Sequence, residues 1–168
     1  RERDAFWGQR APDGVRARPL VAASIGSYGA FLADGSEYRG EYGLDADALA
    51  AWHRPRLRLL EASGADLVAF ETIPSLVEGE AIVRLLAESD GPPAWLSFQA
   101  RNAEDLADGA PVEAAAALAE RCPRILAVGV NCVSPALVAP LLARLASATA
   151  IPLAAYPNRG DAWDVASR

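Results

Sequence analysis

Asn131 and Cys132 are the strongest sign of chemistry in this sequence of 168 residues, because they directly follow an apolar run at residues 125–130. A thiol placed where a buried strand enters a loop is held in one direction, which suits a nucleophile or a metal ligand. Most single cysteines are small core residues instead, but the neighbouring amide indicates a polar cavity. Cys132 is therefore a candidate ligand or nucleophile.

Few partners for that thiol occur in the sequence. The only histidine, His53, falls inside a predicted helix, where we expect a surface or capping residue, and this disfavours a Cys/His/Asn protease. A catalytic zinc ion needs about three protein ligands, and Cys132 is the one well-placed cysteine. Cys122 follows a predicted helix on the opposite side of the layer, so we expect it to be structural.

Glu71 is the second candidate, because it follows the apolar run at residues 65–70 and precedes a helical segment. Its carboxylate could bind the ammonium group of an amino acid at a strand exit. It could equally complement the N-terminus of the next helix, and the residues alone leave both interpretations open. The segment at residues 26–29 lacks the third glycine of a dinucleotide-binding fingerprint, so a Rossmann site is disfavoured.

Short apolar runs alternate with segments of helical periodicity, which is typical of a parallel α/β fold. The predicted strands are residues 20–25, 65–70, 94–98, 125–130 and 151–155, and the predicted helices are residues 45–63, 76–88, 112–121 and 135–146, after a helix ending within residues 1–10. Loops that leave the carboxyl ends of parallel strands form the ligand site. The side chains expected to converge there are Tyr28, Glu71, Gln99, Asn131, Cys132 and Asn158.

Five such units without a reversal favour a (β/α)8 barrel over an open doubly wound sheet, and five strands would be a segment of that barrel. In the longest helix, Asp45 is a suitable N-cap and Gly64 suits the left-handed position after the helix. Pro55 conflicts with a continuous helix, so we expect a kink or a restart at residues 52–55.

The composition, with 52% hydrophobic residues and a net charge of −6, predicts one globular unit. The scattered acidic residues and the lack of a basic cluster argue against nucleic-acid and anionic-membrane partners. No apolar stretch reaches the roughly 18 residues of a membrane span, and two cysteines are too few for a secreted disulfide framework. We expect a cytoplasmic protein with free thiols. Because the sequence begins with Arg1 and contains no Met, we also expect a piece of a longer protein.

Several segments resemble the homocysteine S-methyltransferase family, in the right order along almost the whole sequence. They are residues 24–30, 32–40, 53–56, 64–67, 70–75, 129–132 and 156–158. The loop at residues 33–40 is most similar to the branch that takes its methyl group from S-methylmethionine. The resemblance implies a (β/α)8 barrel of which residues 1–168 would be an incomplete domain, approximately strands three to seven of eight.

The family resemblance also implies a zinc ion held by three thiolates. Cys132 matches the first, and the Gly-Gly-Cys-Cys pair of the last strand has no counterpart. Glu71 would hold the homocysteine ammonium group, Asn158 would offer an oxygen to zinc or a hydrogen bond to substrate, and Tyr28 and Asn131 would join the substrate site. By resemblance, zinc-bound homocysteine would lose its thiol proton and attack the methyl group of S-methylmethionine or S-adenosylmethionine.

An alternative is a non-catalytic amino-acid-binding barrel without a metal. For the 168 residues alone we expect no tight zinc site and no activity, since one thiolate cannot replace three. We also expect poor solubility, because an open barrel leaves two strand edges unpaired. The sequence makes no prediction of oligomeric state.

Overall fold

Five parallel strands form one sheet in a computed structural model that describes residues 2–9 and 18–158. The strands are β1 (Ala22–Gly26), β2 (Leu67–Ile73), β3 (Ala94–Phe98), β4 (Ile125–Asn131) and β5 (Leu153–Tyr156). They lie side by side in chain order, and every neighbouring pair is parallel. A doubly wound sheet reverses its strand order, whereas a (β/α)8 barrel does not. The predicted partial barrel is therefore confirmed.

Six α-helices and one short 3-10 helix accompany the sheet. They are α1 (Glu2–Gly8), α2 (Tyr28–Leu32), the 3-10 turn Ser36–Tyr38, α3 (Ala46–Glu61), α4 (Leu76–Ala87), α5 (Val112–Ala119) and α6 (Pro135–Ala148). Within the described ranges, none of these helices has the length and apolar character needed to cross a bilayer.

Alternation along the strands separates a helix-covered outer face from an inner face. On the outer face, the ring of Phe70 lies 6.0 Å from that of His53 in α3, and Phe98 packs against Gly79 in α4. On the inner face, the indole Nε1 of Trp95 donates a 3.0 Å hydrogen bond to the hydroxyl of Tyr156. This bond connects β3 to β5 across β4, so the inner face is concave enough for side chains to meet.

Local signals place the helix ends as expected. The carboxylate of Asp45 accepts a 2.8 Å hydrogen bond from the Ala48 N–H at the start of α3, and Gly64 has a φ of +79° beyond its end. Helix α3 runs without interruption through Pro55, so the predicted restart is wrong. A proline removes the hydrogen bond to the residue four positions earlier, which here is the exposed residue Ala51.

The prediction for His53 is also wrong, because its side chain is completely buried. Its Nε2 lies 2.8 Å from Oε1 of Glu78 in α4, which is equally buried. The other carboxylate oxygen of Glu78 accepts a 3.1 Å hydrogen bond from the hydroxyl of Tyr42, and Oε1 also accepts the N–H of Tyr28 at 2.7 Å. The buried carboxylate thus ties α3, α4 and the exit of β1 together. Cys122 is 1% exposed, as its structural role predicts.

Candidate functional site

A β-bulge shapes the carboxyl end of β2. Phe70 pairs with Leu96 and Ile73 pairs with Phe98, so Glu71 and Thr72 together lie opposite the single residue Ser97. A bulge of this kind changes the direction of side chains and occurs often beside active sites. Here it places two consecutive polar residues at the strand exit.

Two residues at this edge have left-handed backbone conformations although neither is glycine. The φ angle is +58° at Thr72 and +53° at Cys132. Such angles are uncommon for any side chain and unfavourable for a β-branched one. Residues in these conformations cluster at functional sites, and the two are held together by hydrogen bonds.

Asn131, the last residue of β4, connects these two positions. Its Oδ1 accepts a 2.8 Å hydrogen bond from the Thr72 N–H, and its Nδ2 donates to the Thr72 hydroxyl at 2.7 Å. The side chain is 2% exposed. Because β3 lies between β2 and β4, this pair of bonds bridges the sheet above the end of β3.

The thiol of Cys132 lies at this bridge and is half-buried. Its Sγ is 3.5 Å from the Thr72 hydroxyl oxygen and 3.4 Å from Asn131 Nδ2, both of which can donate to sulfur. The Cys132 N–H donates to the carbonyl of Tyr156 at 3.4 Å. Donors around the sulfur suit a thiolate, so Cys132 fits one position of a metal site. Within residues 2–9 and 18–158, no group of three His, Cys, Asp or Glu side chains could hold a metal ion.

Glu71 and the Cys132 thiol lie near the same phenol, that of Tyr156. Burial raises the pKa of Tyr156, and negative charge at Glu71 and at Cys132 raises it further, while the polar groups of Ser97 and Trp95 act in the opposite direction. From the residues that the structure describes, the Glu71 carboxylate accepts no hydrogen bond and forms no ion pair. A carboxylate with its oxygens unoccupied can bind a cation.

Tyr38, in the 3-10 turn after α2, is a second phenol whose pKa responds to charge at Cys132. Burial raises the pKa of the Tyr38 phenol, and the charge of a Cys132 thiolate adds to that effect. Tyrosines from two different elements, Tyr38 and Tyr156, therefore respond to charge at this sulfur.

The remaining predicted site residues have different positions. The N–H of Asn158 donates to the carbonyl of Val133 at 3.2 Å, which places Asn158 beside the loop that carries Cys132. The ring of Tyr28 packs against Trp52 and Tyr42, with centroids 5.1 and 5.3 Å away. Tyr28 thus belongs to an aromatic cluster with α3, and the structure does not bring its ring to the thiol.

Sequence reasoning missed Thr72 and Tyr156 as site residues. Tyr156 had a detectable signal, since it directly follows the apolar run at residues 151–155, as Glu71 follows the run at residues 65–70. Thr72 had none, because the bulge that turns it toward Asn131 arises from the pairing of β2 with β3.

Comparisons with known proteins agree with this geometry. A family model described as Homocysteine S-methyltransferase matches residues 3–168. The chain is 44% identical over 162 residues to homocysteine S-methyltransferase YbgG of Bacillus subtilis, covering 96% of this chain and 51% of that protein. It is 42% identical over 166 residues to homocysteine S-methyltransferase of Escherichia coli, covering 99% and 53%.

Solved structures show the same similarity. The metallated form of the homocysteine methyltransferase MmuM from Escherichia coli superposes with a TM-score of 0.85 at 42% identity, over 94% of this chain and 54% of that chain. Its apo form gives a TM-score of 0.79 at 35% identity over the same shares. The chain therefore spans about half the length of the relatives it matches.

Proposed function

This chain belongs to the homocysteine S-methyltransferase family, and we propose that the complete protein transfers a methyl group from a sulfonium compound to the sulfur of homocysteine. The observation that carries the proposal is that Glu71 directly precedes Thr72, whose hydroxyl oxygen lies 3.5 Å from the Cys132 sulfur at the carboxyl end of the sheet. An amino acid with a thiol side chain has two groups suited to these residues. Its ammonium group would bind the Glu71 carboxylate, and its sulfur would lie near the Cys132 thiol.

The reaction balances without an external oxidant or base cofactor. The homocysteine sulfur releases its proton to solvent and forms a bond to the donor's methyl carbon, while that carbon's bond to the sulfonium sulfur breaks. The electron pair of the broken bond stays on the donor, which leaves as a neutral thioether. With S-methylmethionine as donor both products are methionine, and with S-adenosylmethionine only the methylated homocysteine is.

A zinc ion, when bound, would favour the ionised form of the homocysteine thiol near neutral pH. We propose Cys132 as one of its ligands, and one solved relative is a metallated form. The ion would need about two further protein ligands, which the described part of this chain does not supply.

We assign the remaining roles by position. Glu71 binds the ammonium group through a charge-assisted hydrogen bond, the strong class of such bonds. Asn158 lies beside the Cys132 loop and contributes a polar contact to metal or substrate. Asn131 and Tyr28 remain predicted substrate-site residues, although Asn131 reaches the site through Thr72 and Tyr28 packs in the aromatic cluster. The two free cysteines are consistent with a cytoplasmic protein.

The test compares Cys132→Ser with Cys122→Ser in the complete gene product, using metal content and methyl transfer from S-methylmethionine to homocysteine. Cys122 is the matched control because it is the other cysteine and lies in the core. We expect stoichiometric zinc in the wild type, retained by the Cys122 variant and lost with activity from the Cys132 variant. A metal-free wild-type protein that binds methionine without transferring methyl groups would instead establish the non-catalytic alternative.

A further inference from the structure

The contacts of Thr72 affect residues outside its own strand. We infer that Thr72 is a positioning residue, which holds the Cys132 side chain in the direction needed at the strand exit. The inference rests on the proposed function, because it assigns Cys132 a role that depends on direction. Thr72 in β2 would orient Cys132, which follows β4.

Thr72 stands in a conformation that its own side chain disfavours. A β-branched residue at a φ of +58° is a genuine outlier, so the surrounding structure must hold it there. Two features do so. The bulge inserts Glu71 and Thr72 opposite the one residue Ser97, and the Asn131 carboxamide binds both the N–H and the hydroxyl of Thr72.

Both ends of the Asn131 carboxamide form hydrogen bonds to Thr72, so a flip of this amide would break both bonds. Oδ1 accepts from Thr72, and Nδ2 donates to the Thr72 hydroxyl and approaches the Cys132 sulfur at 3.4 Å. With its oxygen accepting from Asn131, the Thr72 hydroxyl has its hydrogen free to point at the sulfur, 3.5 Å away.

The result is a closed set of contacts among three side chains. The sulfur is approached by two donors whose own positions are determined by each other, and the left-handed backbone at Cys132 adds a third constraint. A group that must act in one direction gains from supporting contacts of this kind. The hydroxyl of Thr72 is the part of the set that a single substitution can remove without changing shape.

The test is a matched pair of substitutions in the complete gene product. Thr72→Val keeps the β-branched shape and removes the hydroxyl, whereas Thr72→Ser keeps the hydroxyl and removes the methyl group. Zinc affinity is measured by competition with a chelator, and the absorption of the cobalt-substituted protein reports thiolate coordination. Thermal unfolding of the metal-free proteins measures folding separately.

We expect the Val variant to bind zinc roughly 10- to 100-fold more weakly, the range found when groups supporting a metal ligand are removed, with altered thiolate-to-cobalt absorption. The Ser variant should stay within about threefold of the wild type and retain its spectrum, since the hydroxyl alone carries the effect on the sulfur. Wild-type affinity in the Val variant, or equal losses in both variants, would overturn the inference.

A failure of the proposed function can be distinguished from a failure of this inference. If the wild-type protein binds no zinc, the proposed function fails, and crystal structures of the two metal-free variants then decide the role of Thr72. The inference predicts an unchanged Cys132 sulfur position in the Ser variant and a displaced sulfur in the Val variant. An undisplaced sulfur in the Val variant would contradict it.

Discussion

His53 Nε2 lies 2.8 Å from Glu78 Oε1, and both side chains are fully excluded from solvent. The carboxylate also accepts from the Tyr28 N–H and the Tyr42 hydroxyl, so three polar groups from three segments converge on one buried side chain. Burial and the negative charge of Glu78 raise the pKa of Tyr42 far above its ordinary value, which keeps that phenol a donor. A carboxyl group buried this deeply needs hydrogen bonds to replace its lost hydration, and each of its oxygens accepts one here.

Removing this carboxylate should destabilise the protein strongly. Glu78→Ala leaves the Tyr28 N–H, the Tyr42 hydroxyl and the His53 ring without their partner, and each buried polar group left unsatisfied costs about 1–3 kcal/mol. Equilibrium urea unfolding measures the loss. Glu80→Ala is the control two residues away in α4, since Glu80 pairs at the surface with Arg84 and Arg121, where ion pairs contribute up to about 1 kcal/mol. Similar losses of unfolding free energy in both variants would show that the buried network stabilises the protein no more than a surface ion pair does.

Asp66, at the turn before β2, should make the stability of the protein depend on pH in the acidic range. Its carboxylate accepts the Val21 N–H at 2.7 Å and pairs with Arg3 and Arg18, and these contacts lower its pKa from 3.8 to about 2. A folded-state pKa below the ordinary value means that the ionised form stabilises the fold. This contribution is complete well above pH 3.8 and is lost as the pH falls through about 2.

Asp66→Asn should therefore unfold at a lower temperature than the wild type at pH 6, with the difference shrinking toward pH 2. Thermal unfolding followed by circular dichroism across this range provides the measurement. The exposed Asp90 offers a control position, and Asp90→Asn should follow the wild type throughout. A difference between Asp66→Asn and the wild type that stays constant with pH would contradict the assignment.

Features that depend on neighbours in the sequence were predictable, and features that depend on distant pairing were not. Asp45 as an N-cap and Gly64 in a left-handed conformation follow from the residues themselves. The exits carrying Glu71 and Cys132 follow from apolar runs that end in polar residues. His53 was misjudged because its partner Glu78 lies 25 positions away, and no local pattern connects a mid-helix histidine to the first turn of the next helix.

The site itself shows the same division. Cys132 was identified as a candidate, but its neighbour Thr72 was not, since the approach of Thr72 depends on strand register. The bulge at Glu71 and Thr72 shifts that register by one residue, and a one-residue change reverses which side chains face inward. Apolar periodicity does not encode such a shift.

Gly129 should tolerate no side chain. A Cβ added there would overlap the carbonyl oxygen of Ala154, an atom of the neighbouring strand that cannot move without separating β4 from β5. We expect Gly129→Ala to lower the free energy of unfolding by at least about 2–3 kcal/mol, the upper part of the usual overpacking range. Gly8→Ala is the control, because nothing lies within 4 Å of a Cβ at Gly8. Urea unfolding of both variants checks this, and a stable Gly129→Ala protein would mean that β4 and β5 are spaced differently.

Glu71 should determine how tightly the acceptor amino acid binds. Glu71→Gln keeps the shape and removes the charge, so the ammonium group of homocysteine would lose a charge-assisted bond of about 1.5–3 kcal/mol, equivalent to a roughly 10- to 150-fold rise in KM. The value of kcat should change much less, because the ammonium group is remote from the sulfur and is held equally in the ground and transition states. Steady-state kinetics with homocysteine varied at saturating S-methylmethionine separates the two constants. Glu41→Gln, at an exposed position in the loop before α3, should leave both unchanged. An unaltered KM in the Glu71 variant would mean that this carboxylate only complements the N-terminus of α4.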